Sequence, residues 1–261
     1  MRTFDVGVFI LCIFIAQLKR AAVRDLHWFH GFVVTALAGF GGSILVPVLL
    51  GCHDNVGPFV LANDGAACFM AAAFALVHYV PGFTHVTALP GVRHAIAAAF
   101  ELTRAVIVLV WLRRAEAAIA SPSHFTAAPV VGPLILGTIA GCGGGFLPFD
   151  KGLAALKDGP PYAMTSAFAV AAAYHVAAFN EGALLRQAAG AVGASALVPA
   201  VDERDMRALL AVALVLARWA RMIGGGGGGG AAVTKKPAAT ATGKSGKSPR
   251  ARRRRAGKKE E

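Results

Sequence analysis

The sequence predicts an all-α integral membrane protein with seven transmembrane helices, the second and fifth of them broken. Three observations lead there. Apolar runs long enough to cross a bilayer recur along 261 residues that are 56% hydrophobic and 15% charged, where soluble domains carry about 25% charged residues. The runs are continuous and do not alternate, which excludes a transmembrane β-barrel. Two of them are interrupted by glycine in the same way about a hundred residues apart, by Gly39-Phe-Gly-Gly-Ser43 and by Gly141-Cys-Gly-Gly-Gly145. Each glycine weakens a helix and uncovers backbone. Hydrocarbon tolerates unwound backbone only where it is buried in protein or lines a water-filled cavity. Broken helices at corresponding places of two halves therefore point to a permeation or transport site.

The spans follow in order. The first, near Phe4 to Leu18, is closed by Lys19, Arg20, Arg24 and Asp25. A cleaved signal peptide is its competitor, but Asp5 lies inside the run and no small-x-small cleavage site follows. The second runs from Trp28 to Leu50 through the first glycine cluster. A polar loop with His53, Asp54 and Asn55 leads to the third, about Pro58 to Val80, which Pro81-Gly82 ends. The fourth, about Gly91 to Leu112, carries Glu101 and Arg104 inside it. The fifth is the apolar run from Val130 to Phe149, with no charge in it. The sixth covers about Met164 to Phe179 and the seventh about Met206 to Ile223, with an apolar stretch at 182–200 that is re-entrant or interfacial. Residues 1–223 thus form the membrane domain, and 224–261 a Gly-rich linker and a disordered basic tail.

Charge divides the chain the same way. From Lys235 onward eleven Lys/Arg stand against two Glu, a net of +9; before it fifteen stand against twelve acids, a net of +3. Seven spans put the termini on opposite sides. With a cytosolic tail, Lys19, Arg20, Arg24, Arg93, Lys151 and Lys157 are also cytosolic, and the loop with His53, Asp54 and Asp64 is luminal, as the positive-inside rule favours. The tail itself reads as a segment drawn to the anionic leaflet, as a nucleic-acid binder (the less favoured partner), or as a solvated end.

Chemistry-bearing residues are few. Glu101 and Arg104 share one face of the fourth span, and ionisable groups at membrane depth mark function by default; the bland reading is a self-neutralising ion pair. Backbone at Gly39, Gly41, Gly42 and Ser43, and at Gly141, Gly143, Gly144 and Gly145, offers carbonyls to a dehydrating cation, aided by the Ser43 and Thr138 hydroxyls. Close helix packing is the competing explanation of those glycines. Cysteines at 12, 52, 68 and 142 lack metal-ligand spacing, so no metal cofactor is expected, and His78, His94 and His175 read as isolated core or interface residues. No nucleophile–histidine arrangement or phosphate-binding fingerprint appears, so an enzyme is not expected.

Several segments fall in a known order: Phe4-Asp-Val-Gly-Val-Phe-Ile10, Gly39-Phe-Gly-Gly-Ser-Ile-Leu-Val-Pro-Val-Leu-Leu-Gly51, Asn63, Tyr79-Val-Pro81, Leu89-Pro90, Glu101-Leu-Thr-Arg104, Gly137 to Gly145, and Phe149-Asp-Lys151. In that order and spacing, over about Phe4 to Gly159, the chain resembles the trimeric intracellular cation (TRIC) channels of the endoplasmic and sarcoplasmic reticulum. The resemblance implies a homotrimer with one pore through each protomer, two inverted three-helix repeats, and one extra helix outside them. It also implies a potassium channel giving counter-ion flux when calcium leaves the reticulum. The family's Lys-Glu-x-x-Arg motif holds a phosphoinositide lipid in animal members; here Glu101 and Arg104 match it, Phe100 replaces the lysine, and Arg93 is the nearest substitute. Ala140 stands where animal members have a lysine before the fifth-helix glycines, so steep voltage gating is not carried over. Lys258-Lys259-Glu-Glu261 resembles the dilysine retrieval signal of reticulum membrane proteins and suits a cytosolic C-terminus. Without a ring of acids, discrimination between potassium and sodium is expected to be modest. A secondary transporter with a midplane site at the two breaks is the alternative.

Overall fold

The computed structural model describes residues 3–51, 63–119, 129–147, 156–157, 159–178 and 202–223. The chain divides at Gly229/Gly230, and the described residues all belong to the first unit. Every regular element among them is helical: α1 (Thr3–Val23), α2 (Trp28–Leu49), α3 (Asp64–Tyr79), α4 (Phe83–Ala88), α5 (Pro90–Ala118), α6 (Val131–Cys142) with a 3₁₀ turn at Gly143–Gly145, α7 (Tyr162–Ala178) and α8 (Glu203–Ile223). The expected loop at 52–57, the stretch 182–200 and the tail 224–261 lie outside the described residues.

By length and composition three helices can cross a membrane, Phe4–Val23, Trp28–Leu49 and Pro90–Ala118, while Asp64–Tyr79 and Val131–Gly145 are shorter apolar helices. The first span is longer than expected: α1 continues through Lys19 and Arg20 to Val23. Their long aliphatic stems let basic residues stay helical at a membrane edge while the charge reaches water. Helix α5 likewise runs past Arg113 and Arg114 to Ala118. The short helix α4 was not foreseen; Gly82, at φ +81°, turns the chain into it after Pro81. Asn63 caps α3, its side-chain oxygen accepting the Ala66 N–H at 3.2 Å.

One expectation is corrected outright. Helix α2 is not broken: it runs unbroken from Trp28 to Leu49 through Gly39–Ser43, with Pro47 inside its last turn. Glycine lowers helix propensity by only about 1 kcal/mol per residue, and burial of Phe40, Gly41, Gly42, Ser43 and Val46 holds the helix together. In the fifth span, expected from Val130 to Phe149, helix α6 stops at Cys142 and tightens into the 3₁₀ turn at Gly143–Gly145.

Packing falls into two groups. Val8, Leu11, Cys12 and Ile15 of α1 close on Phe40 of α2 and on Met70, Ala73 and Val77 of α3. Ala105, Val108 and Leu112 of α5 close on Ala167, Val170 and Tyr174 of α7 and on Leu214 of α8. Between the groups, Val46 of α2, Trp111 of α5 and Leu136 and Ala140 of α6 form a third cluster. Helices α1 and α5 also pack on each other, where a methyl group at Gly7 would stand 2.7 Å from the Thr103 Oγ1.

Candidate functional site: a glycine crossing above a central cavity

The two glycine segments meet. A methyl group at Gly41 would stand 2.8 Å from Gly144 Cα, and one at Gly42 would stand 2.5 Å from the Ile139 carbonyl oxygen. At Gly143 it would stand 2.5 Å from Gly42 Cα, and at Gly144 it would overlap the Ala38 carbonyl. Backbones approach this closely only where both lack a side chain. Close packing therefore accounts for Gly41, Gly42, Gly143 and Gly144. Gly141 is filled in the same way, against Val108 of α5 and Ala167 of α7. Gly145 meets nothing within 4 Å, so packing does not account for it.

Beside the crossing lies a cavity of about 340 Å³. Leu11, Ile15 and Lys19 of α1 form one wall, Gly39 and Gly42 of α2 another, and Ala140 to Phe146 a third; Phe100, Arg104 and Ile107 of α5 face them. Helix α6 ends on this space. Its Ile139 carbonyl accepts the Gly143 N–H, and the Ile139 and Ala140 oxygens face Gly42 of the crossing. The lining is otherwise apolar except for Lys19 and Arg104.

Glu101 and Arg104 are almost fully buried, 1% and 3% exposed. Arg104 donates Nε–H to Glu101 Oε2 at 2.8 Å and Nη2–H to the same oxygen at 2.5 Å. Its Nη1 donates to the Ala163 carbonyl at 2.9 Å and its Nη2 to Ser166 Oγ at 2.8 Å. Ser166 in turn donates to the Tyr162 carbonyl at 2.6 Å. The guanidinium therefore ties α5 to the first turns of α7, with its charge neutralised one helical turn away. Phe100, in the place of the motif lysine, stacks on Phe14 of α1 with ring centroids 4.2 Å apart, and it completes the apolar wall.

The structure thus gathers Gly39, Gly42, Gly141, Gly143, Gly144, Gly145 and Arg104 around one cavity. Gly41 and Ser43 are buried at the crossing beside it. Thr138 is buried, and its hydroxyl is turned back to the Leu134 carbonyl at 2.7 Å. Glu101 sits behind Arg104 and does not line the cavity. Arg93 stands eleven residues before Arg104 on one helix, about 16 Å along the axis, and lines a different cavity. Lys258 and Lys259 lie outside the described residues. Sequence reasoning missed Ser166 and the Ala163 carbonyl, because nothing in an Ala-rich helix marks which carbonyl will face a guanidinium 59 residues away.

No protein-family model matches the sequence, and no curated protein matches it. Solved structures do. A structure of TRIC counter-ion channels in calcium release superposes with a TM-score of 0.59 at 20% identity, covering 86% of this chain and 93% of that one. A trimeric intracellular cation channel from C. elegans in the absence of Ca2+ gives 0.58 at 14% identity, covering 85% and 90%. With bound Ca2+, such a channel from C. elegans gives 0.56 at 16%, covering 85% and 91%. The chain is a multi-pass helical membrane protein with the fold of the trimeric intracellular cation channels.

Proposed function

We propose that the chain is a monovalent-cation channel, potassium above all, of the endoplasmic or sarcoplasmic reticulum. It supplies counter-ion flux during calcium release and acts as a homotrimer with a pore in each protomer. The observation that carries this reading is the crossing of α2 with the α6 turn at the head of a cavity built from both glycine segments, on a fold shared with TRIC counter-ion channels. Helices α1, α2 and α3 correspond to α5, α6 and α7 as two inverted repeats, with α8 as the extra helix. The crossing is the gate: with backbone against backbone there is no room for an ion, and conduction requires α2 and the turn to part. A phosphoinositide headgroup at Arg104 would reach the one guanidinium N–H that Glu101, Ser166 and Ala163 leave unengaged, from the cavity that Arg104 lines.

Planar-bilayer recording in symmetric potassium tests the reading. Unitary steps are expected, with reversal potentials showing modest preference for potassium over sodium. Lys19→Gln, which removes a cation from the cavity lining, raises unitary conductance at low ionic strength, and the difference shrinks at high salt. Saturable potassium uptake into liposomes without unitary steps replaces the channel with a transporter.

A further inference from the structure

We propose that a closed ring of five side chains from four helices shuts the central cavity off from a second cavity, and that Arg218 of α8 holds the ring in place. Phe14 of α1 stacks on Phe100 of α5, with ring centroids 4.2 Å apart. The Arg104 guanidinium of α5 stands 5.9 Å from the centroid of Phe100 and 5.9 Å from that of Tyr162, the first residue of α7. Arg218 of α8 stands 5.9 Å from Tyr162 and 5.7 Å from Phe14, which closes the circuit. A guanidinium within about 6 Å of a ring centroid is drawn to the ring quadrupole, the more so where water is excluded.

The ring stands in a partition. The second cavity, of about 390 Å³ at the end of the bundle where α1 and α8 terminate, is lined by Phe14, Leu18 and Arg218. The central cavity is lined by Phe100, Arg104 and again Leu18, so the Phe14–Phe100 stack lies across the boundary. Arg104 is already hydrogen-bonded to α7. A guanidinium hydrogen-bonds through its edge and stacks through its faces, so the two sets of contacts coexist. Tyr162 is shared by Arg104 and Arg218: its π face attracts both, whereas an aliphatic side chain there leaves two like charges to repel. Arg221 of α8 stands on the same ring at 4.5 Å. Arg218 is thus a positioning residue, lining the second cavity and acting on the wall of the central one through the aromatic rings. Loosening it frees the stack and joins the two cavities.

This role rests on the reading of the central cavity as the ion path, and two readouts separate the two. Full-length protein carrying Cys12→Ala, Cys52→Ser and Cys68→Ala keeps Cys142, which lines the central cavity. Its rate of reaction with a small cationic thiosulfonate reports access to that cavity without any current. Arg218→Gln should raise the rate about two- to fivefold, the loss of one cation–π contact, and raise open probability in bilayers. Tyr162→Leu, which releases Arg221 as well, should exceed it. The double variant should match Tyr162→Leu alone, because the contact removed is shared. Tyr162→Phe keeps the π face and Arg218→Lys the cation, so both should stay near wild type. Arg114→Gln, which takes a guanidinium off Trp111 at 4.9 Å, changes neither readout. Thiol rates unchanged in Arg218→Gln and Tyr162→Leu, rates raised as much by Tyr162→Phe, or open probabilities equal to wild type overturn the ring. Altered thiol rates in a protein that never conducts leave the ring standing and overturn the channel reading.

Discussion

Arg104 shows how much a single residue's surroundings decide. At sequence level an arginine in a bilayer span is a functional candidate by default. In the folded chain four hydrogen bonds hold it to one carboxylate, one carbonyl and one hydroxyl. Removing one partner of such a pair leaves an uncompensated buried charge, at a cost of about 3–5 kcal/mol, whereas replacing both by apolar groups is often neutral. Glu101→Ala is therefore expected to lower the melting temperature more than the double replacement Glu101→Met with Arg104→Met. Thermal melts followed by size-exclusion chromatography check the order. If the double variant is the less stable of the two, the pair is not the local clamp described above.

At the scale of elements, the glycine run of the α6 turn separates two roles by position. Gly144 is pressed against the Ala38 carbonyl, while Gly145 has open space around it. Overpacking of this kind costs about 1–3 kcal/mol, and a substitution that touches nothing stays within about 0.5 kcal/mol. Gly144→Ala should destabilise the protein and alter open probability by holding α2 away from the turn. Gly145→Ala should leave stability unchanged. Melting temperatures and bilayer recordings of the two variants distinguish a gate at the crossing from a run of glycines kept for flexibility alone. Equal effects at 144 and 145 contradict the crossing as gate.

For the whole molecule, the cavity shared by Arg20, Arg218 and Met222 places the C-terminal ends of α1 and α8 at one end of the bundle. Helix α8 therefore ends, at Ile223, on the same side as Lys19 and Arg24. The proposed orientation, in which the positive-inside rule puts that side in the cytosol, is testable there. In sealed microsomes, a cysteine placed at Lys258 in a background lacking the native cysteines should react with an impermeant maleimide without detergent. Labelling only after permeabilisation reverses the orientation.

The sequence by itself determined the membrane class, the ends of most helices, the two glycine segments and the Glu101–Arg104 pair, because apolar run length, caps and i, i+3 spacing are local properties. It also pointed to the fold through the order of its motifs. What it left open was whether the glycines unwind a helix or bring two helices together, and whether Arg104 faces a ligand or a neighbour. Only the tertiary structure decided these. Propensity at Gly39–Ser43 favours a break by about 1 kcal/mol per glycine, and burial against the α6 turn outweighs it. Arg104 finds its acceptors on α7, 59 and 62 residues away, and Arg93 joins Arg20 and Arg218 across three helices. Contacts of that range depend on how helices pack, and no window of sequence contains them.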